Sequence, residues 1–320
     1  MPRQTPQPIS PQTRRPYQTP VLSWTTEPSA LDIADAGALL SAAAAADGVE
    51  PVSEAAVLRL QHPGQAPHLL VRDEAGVLLG YAGLDTWAQR PTGEFVVHPD
   101  HRCRGVGMTM LSALLDRISG PLWIWAHGEH PAALRLAERA GLDRRRELLQ
   151  LRRPLRDPIP PRALPEGLAL RSFVPGQDEP AVVRVNNRAF AWHPEQGRWA
   201  ADELVLRETQ PWFDPKGFLL AVDAQDALHG FHWTKVHPDG LGEVYVIGGD
   251  PDAQGTGLGG ALIVAGLEHL RDRGVPEVML YVESDNAVAL QTYRRLGFRR
   301  HHTDVEFLRD AHQPGEYRSG

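Results

Sequence analysis

Two short glycine-bearing runs carry the residue types best suited to chemistry: Gln254-Gly255-Thr256-Gly257-Leu258-Gly259 and Arg102-Cys103-Arg104-Gly105-Val106-Gly107. Each follows an apolar, strand-like stretch that ends in proline and precedes an amphipathic, helix-like stretch. Glycine lets a backbone turn tightly and approach a ligand closely. Successive amide N–H groups at the start of a helix then form a cradle for an anion such as a diphosphate. Either run alone could be a turn that merely starts a helix. Two copies in one context favour the cradle. Neither run is a P-loop, because no Gly-Lys-Ser/Thr follows, and neither has the six-residue glycine pattern of a dinucleotide fold. Cys103 has arginine on both sides but no base that would make it a nucleophile, so it reads as a small residue filling the loop. The fourteen histidines show no metal-ligand spacing, and no metal is expected.

The elements around these runs repeat. Residues 68–84, HLLVRDEAGVLLGYAGL, read as two strands with a turn at Asp73–Gly76, and 217–236 read the same way. GEFVVHP (93–99) and GEVYVIGGDP (242–251) precede the glycine runs, and a helix, a strand and a second helix follow each. The offset is 152 residues at Gly105–Gly257 and 156 at Gly141–Gly297, so a whole domain is duplicated. Such an order implies an α/β (α+β) architecture, a mixed, mostly antiparallel sheet flanked by helices. The proline-dense segment 154–167 reads as a linker between domains at 21–153 and 168–320, after a polar tail at 1–20. A net charge of −7 gives no support for nucleic acid as a partner. No apolar run reaches the roughly 18 residues of a membrane span. With one cysteine and no apolar leader, a cytoplasmic protein is expected. It is read as a monomer.

The Q/R-x-x-G-x-G/A run between strand and helix resembles the acetyl-CoA diphosphate loop of the GNAT acyltransferases. The likeness covers both halves, roughly 24–153 and 168–309. It implies two tandem GNAT domains with acetyl-CoA as co-substrate. In the second half it implies cofactor contacts at the strand end (Ile247, Gly248, Gly249) and along the loop (Gln254, Gly255, Thr256, Gly257, Leu258, Gly259, Gly260). Asn286 and the helix start Ala287, Val288, Ala289, Leu290 and Gln291 would lie along the pantetheine arm. In the first half the matching positions are Phe95, Val96, Val97, Arg102, Cys103, Arg104, Gly105, Val106 and Gly107.

Longer strings in the second half, among them HPEQG (193–197), HWTKVHP (232–238), GEVYV (242–246) and LYVESDN (280–286), resemble the mycothiol synthase family more narrowly. That family acetylates the cysteinyl amine of a cysteine–glucosamine–inositol conjugate, completing mycothiol. The resemblance implies substrate contacts at Glu54, Glu195, Lys235, Glu243 and Tyr281. Glu54 reads equally as a carboxylate favoured at a helix start, whereas for Glu195 the surrounding motif favours the substrate pocket over that reading. Acetyl transfer from a thioester to an amine needs a base and an acid nearby. Glu243 is the expected base and Tyr293 the expected acid. Backbone N–H groups around Val246–Gly248 are placed to polarise the thioester carbonyl.

The first half lacks these parts. Ala137 replaces Tyr293, and His130-Pro131 replaces Asp285-Asn286. Glu94 lies five residues before Pro99, whereas Glu243 lies eight before Pro251. In regular strands that odd difference would point the two side chains to opposite faces, unless a bulge intervened. The first half is expected to keep a cradle and do no chemistry. Two other readings stand beside this one: a tandem GNAT acting on another small amine, and a non-catalytic acetyl-CoA sensor.

Overall fold

A computed structural model describes residues 20–62, 64, 66–86, 90–191 and 199–310. The chain forms two compact units, one running to Arg145 and rejoining at Val305, the other Arg146–Asp304.

The first unit contains strands β1 (Val21–Thr25), β2 (His68–Arg72), β3 (Leu78–Asp85), β4 (Thr92–Val97) and β5 (Leu122–Ala126). They lie in that order, antiparallel except for β4 beside β5. Helices α1 (Ala30–Asp47) and α2 (Glu54–Gln61) cover one face, with Leu39, Ala43, Ala56 and Leu60 packed on Leu70, Tyr81 and Val96. Helix α3 (Val106–Arg117) covers the other through Met110, Leu111 and Leu114. Helix α4 (Pro131–Arg139) packs with Val305 and Phe307. Ser29 caps α1 in a reciprocal box with Asp32, and Gly48 ends it in the left-handed region. The turn foreseen at Asp73–Gly76 closes with Gly76 N–H donating to the Asp73 carbonyl at 3.0 Å.

The second unit repeats the plan. Helices α5 (Glu179–Ala189) and α6 (Ala201–Glu208) follow strand β7 (Ala169–Ser172). Strands β8 (Phe218–Val222), β9 (Leu228–Val236) and β10 (Gly242–Gly249) form an antiparallel meander. Helix α7 (Leu258–Asp272), strand β11 (Glu277–Glu283), helix α8 (Ala287–Arg295) and strand β12 (Arg299–Arg309) complete the chain. An aromatic cluster supports the α5–α6 face, with Trp233 stacked on Phe218 at 4.4 Å. On the other face α7 sits close enough to β9 that a Cβ at Gly266 would fall 2.1 Å from the His232 ring. Only glycine fits there.

The sequence repeats exchange their final strands. Strand β6 (Asp143–Pro154), which ends the first sequence repeat, pairs along β11 from Leu148–Glu283 to Pro154–Glu277. Residues Val305–Arg309, which end the second repeat, pair with β5. Ladder pairing sets the compact units, which part after Arg145 and after Asp304 and not at the linker expected at 154–167.

Candidate active site

The second glycine run forms the turn its spacing demands. Gly255 and Gly257 have φ of +78° and +92°, and Gly257 is the N-cap of α7 without a side-chain cap bond. Helix geometry leaves the N–H groups of the first turn without intrahelical acceptors. A Cβ at Gly255, Gly257 or Gly259 would meet nothing within 4 Å, so the cradle opens outward. Its open first-turn amides fit a diphosphate, the group that acetyl-CoA would present there. Thr256 Oγ1 donates to the Ala253 carbonyl and stiffens the turn. Leu258 is buried, so its backbone alone can face a ligand.

The first run has the same backbone form, with Cys103 at φ +58° and Gly105 at +88°. Its Arg102 guanidinium is engaged with Asp47 at 2.6 and 2.7 Å and with the Val97 carbonyl at 3.1 Å. Arg102 therefore braces the loop against the end of α1. Arg104 and the Cys103 thiol are exposed, Gly107 follows Val106 into α3, and Val106 and Val96 are in the core. Phe95 and Val97 pack toward α3.

Beside the second cradle the sheet opens. β10 runs parallel to β11 only at Gly242–Val278 and Glu243–Met279, while its pairing with β9 continues to Gly249. The edge of Tyr245–Gly249 that faces β11, which includes Ile247 and Gly248, lies beyond the end of that parallel ladder. Asn286 caps α8, its Oδ1 accepting from Ala289 N–H at 3.1 Å. Ala287, Val288 and Gln291 are exposed and Ala289 half-buried, whereas Leu290 packs in the core.

Strand alternation sorts the polar side chains. Val244, Val278, Leu280 and Val282 pack toward α7 and α8, together with Tyr293. Glu243, Tyr281 and Gln150 therefore lie on the opposite face. Lys235 stands directly across from Glu243, its ammonium 4.6 Å from the Trp212 ring and 5.1 Å from Tyr245. Glu243 is 7% exposed, and its Oε2 lies 2.8 Å from His237 Nε2. Tyr281 Oη accepts from Gln150 Nε2 at 2.9 Å, and Gln150 Oε1 accepts from Arg152 Nε at 2.8 Å. Burial, with Asp304 and Glu243 adding negative charge, pushes the Tyr281 phenol well above its ordinary range. It stays protonated and can donate. Tyr293, on the far face, packs edge-on to Phe298, and burial pushes its phenol up to about 12.

The structure thus gathers Lys235, Glu243 and Tyr281 on one face, with Tyr293 on the other and the cradle at the end of the splayed strand. Glu54 is the first residue of α2 in the first unit. Glu195 lies outside the described residues. Sequence reasoning missed Gln150 and any role for His237. His237 stands two residues after Lys235, a strand-period spacing that pointed to it. Gln150 was hidden because its strand ends the first repeat yet pairs in the second unit.

One expectation is corrected. β10 carries a bulge between Val244 and Val246, so Val244 packs toward α7 and Val246 toward α5. β4 has none. The extra residue restores the register, and Glu94 stands on the face of its own unit that corresponds to the face of Glu243. What separates the two carboxylates is their partners. Glu94 accepts from Ser53 N–H at 2.5 Å and Ser53 Oγ at 2.6 Å, and meets His127 Nε2 at 3.0 Å. Burial opposes its ionisation, but His127 and Ser53 outweigh it and hold the carboxyl down at about 2. Ala137 is buried beside Val305 and Phe307, and His130 caps α4 as Asn286 caps α8, so His130 and not Pro131 stands at the position of Asn286.

Two copies of this sheet, each with its strand-to-helix cradle, define a tandem GNAT acetyltransferase. The model of the acetyltransferase (GNAT) family matches residues 39–142 and 186–298. A tandem GNAT protein from the clavulanic acid biosynthesis pathway shares the fold, with a TM-score of 0.71 at 18% identity, over 93% of this chain and 100% of that one. A GCN5-related N-acetyltransferase from Sphaerobacter thermophilus is 26% identical, with a TM-score of 0.66, over 92% of this chain and 96% of that one. The mycothiol acetyltransferase of Saccharopolyspora erythraea is 53% identical across 85% of this chain and all of its own length. That of Thermomonospora curvata is 52% identical across 84% of this chain and 91% of its own. The chain belongs to the mycothiol acetyltransferase family, and it is an acetyl-CoA-dependent N-acetyltransferase. Among the described residues no helix is long and apolar enough to cross a membrane.

Proposed function

We propose that the second unit transfers acetyl from acetyl-CoA to the cysteinyl amine of a cysteine–glucosamine–inositol conjugate, completing mycothiol in the cytoplasm. The observation that carries this reading is the polar face around Glu243. It offers a carboxylate for an ammonium, and Lys235 and Tyr281 as donors for hydroxyls, beside a splayed strand ending in an anion cradle. Family likeness at half-identity over most of the chain supports the same substrate.

In this reading Glu243 takes one proton from the ammonium, directly or through a water. The freed amine attacks the thioester carbonyl, whose oxygen the β10 amides near Ile247 stabilise. As the carbon–sulfur bond breaks, Tyr293 protonates the departing thiolate, and the second proton that the nitrogen sheds as the amide forms restores the phenol through solvent. The amides of Gly257–Gly260 would hold the diphosphate of acetyl-CoA, with β10 and the start of α8 beside its arm. The substrate roles of Glu54 and Glu195 rest on the resemblance alone.

Purified protein incubated with acetyl-CoA and a panel of amines, with CoA thiol release followed, tests the reading. Release is expected with the cysteinyl conjugate and at most weakly with aminoglycosides or peptide N-termini. Release only with unrelated amines removes the mycothiol assignment. Tight acetyl-CoA binding without release for any amine marks a sensor.

A further inference from the structure

We infer that His237 is a positioning residue for the acetyl-transfer reaction, holding the Glu243 carboxylate so that one of its oxygens is presented as the base. The inference rests on the proposed role of Glu243. Its geometric basis is the 2.8 Å contact between His237 Nε2 and Glu243 Oε2. A carboxylate can only accept, so Nε2 carries the hydrogen, and the imidazole is fixed as the tautomer that donates from that nitrogen. Oε2 is thereby occupied. Oε1 has no hydrogen-bond partner among the described residues and is left to receive the ammonium proton.

The contact joins two elements. Glu243 is the last β10 residue paired with β11, at the point where the strands part. His237 opens the turn after β9, where its N–H donates to the Leu241 carbonyl at 2.8 Å and its carbonyl accepts from Gly240 N–H at 2.9 Å. Those bonds shape the turn without the imidazole. The ring's one hydrogen bond among the described residues is to Glu243, so the side chain serves the carboxylate rather than the turn. Lys235 stands across from Glu243, and Tyr281 lies on the same face close enough to feel its charge. Without the donor on Oε2 the carboxylate would lose its one hydrogen bond among the described residues, and with it the orientation that presents Oε1.

Three variants test this. His237→Leu removes the donor and is expected to lower kcat by about 10- to 100-fold, the scale of a misplaced catalytic group, with KM for acetyl-CoA unchanged. His237→Gln keeps an N–H at similar reach and is expected to retain most of kcat. Adding His237→Leu to Glu243→Gln is expected to cost little more than Glu243→Gln alone, because both act on one group. Melting temperatures and acetyl-CoA affinity confirm that each variant is folded, and His237→Ala replaces the leucine variant if that one does not fold. Wild-type kcat in His237→Leu, or equal loss in the leucine and glutamine variants, overturns the inference. If Glu243→Gln itself keeps wild-type kcat, the base assignment falls and the positioning role falls with it. Collapse in Glu243→Gln beside normal turnover in His237→Leu removes only the role of His237.

Discussion

Two glutamates show how partners, rather than position, separate the proposed base from a residue of the scaffold. Glu94 and Glu243 occupy corresponding faces of corresponding strands, yet Glu94 is tied by Ser53 and His127 while Glu243 keeps an oxygen unbonded among the described residues. Tyr293 is the other residue on which the proposed chemistry turns, and a phenol raised to about 12 stays protonated at working pH. Tyr293→Phe keeps the ring packed on Phe298 and removes only the hydroxyl. It is expected to lower kcat by about 100-fold or more, within the range of a lost general acid, while the melting temperature stays close to wild type. Unchanged kcat in that variant would exclude Tyr293 as the acid. Much of this was legible in the sequence, because Lys235, Glu243 and Tyr281 sit in distinctive strings. The face on which Glu94 stands was not, since one residue of bulge reverses the inference and no local signal marks it.

At the scale of elements, spacing alone disclosed the hairpins, the cradles and the helices that follow them. Glycine at positive φ is a local requirement, so the turns at Gly105 and Gly257 could be read before any coordinates. Strand partners could not. β6 and the end of β12 each hydrogen-bond outside their own sequence repeat, which depends on long-range pairing and not on periodicity. Gln150 escaped notice for that reason. The splay between β10 and β11, and the residue where their pairing stops, emerge only from the register.

Across the whole molecule, buried titratable groups set how the fold responds to acid. Burial holds His68 in the first unit and His232 in the second down at about 4, against 6.5 when exposed. Between those values the unfolded chain binds protons that the folded chain refuses, so stability falls as pH drops from 6.5 toward 4. Glu94 acts lower: its contribution is complete above 4.5 and disappears as pH falls toward 2. Urea unfolding across that pH series is expected to show both declines, and a flat profile between 6.5 and 4 would contradict the first. The same doubling of the fold raises the central question of which half performs the transfer. Blocking each cradle in turn with a carboxylate, in Gly257→Glu and Gly105→Glu, and measuring the rate of CoA release with the cysteinyl conjugate answers it most directly. The account predicts that turnover is lost in Gly257→Glu and retained in Gly105→Glu; loss in Gly105→Glu with normal turnover in Gly257→Glu would contradict it.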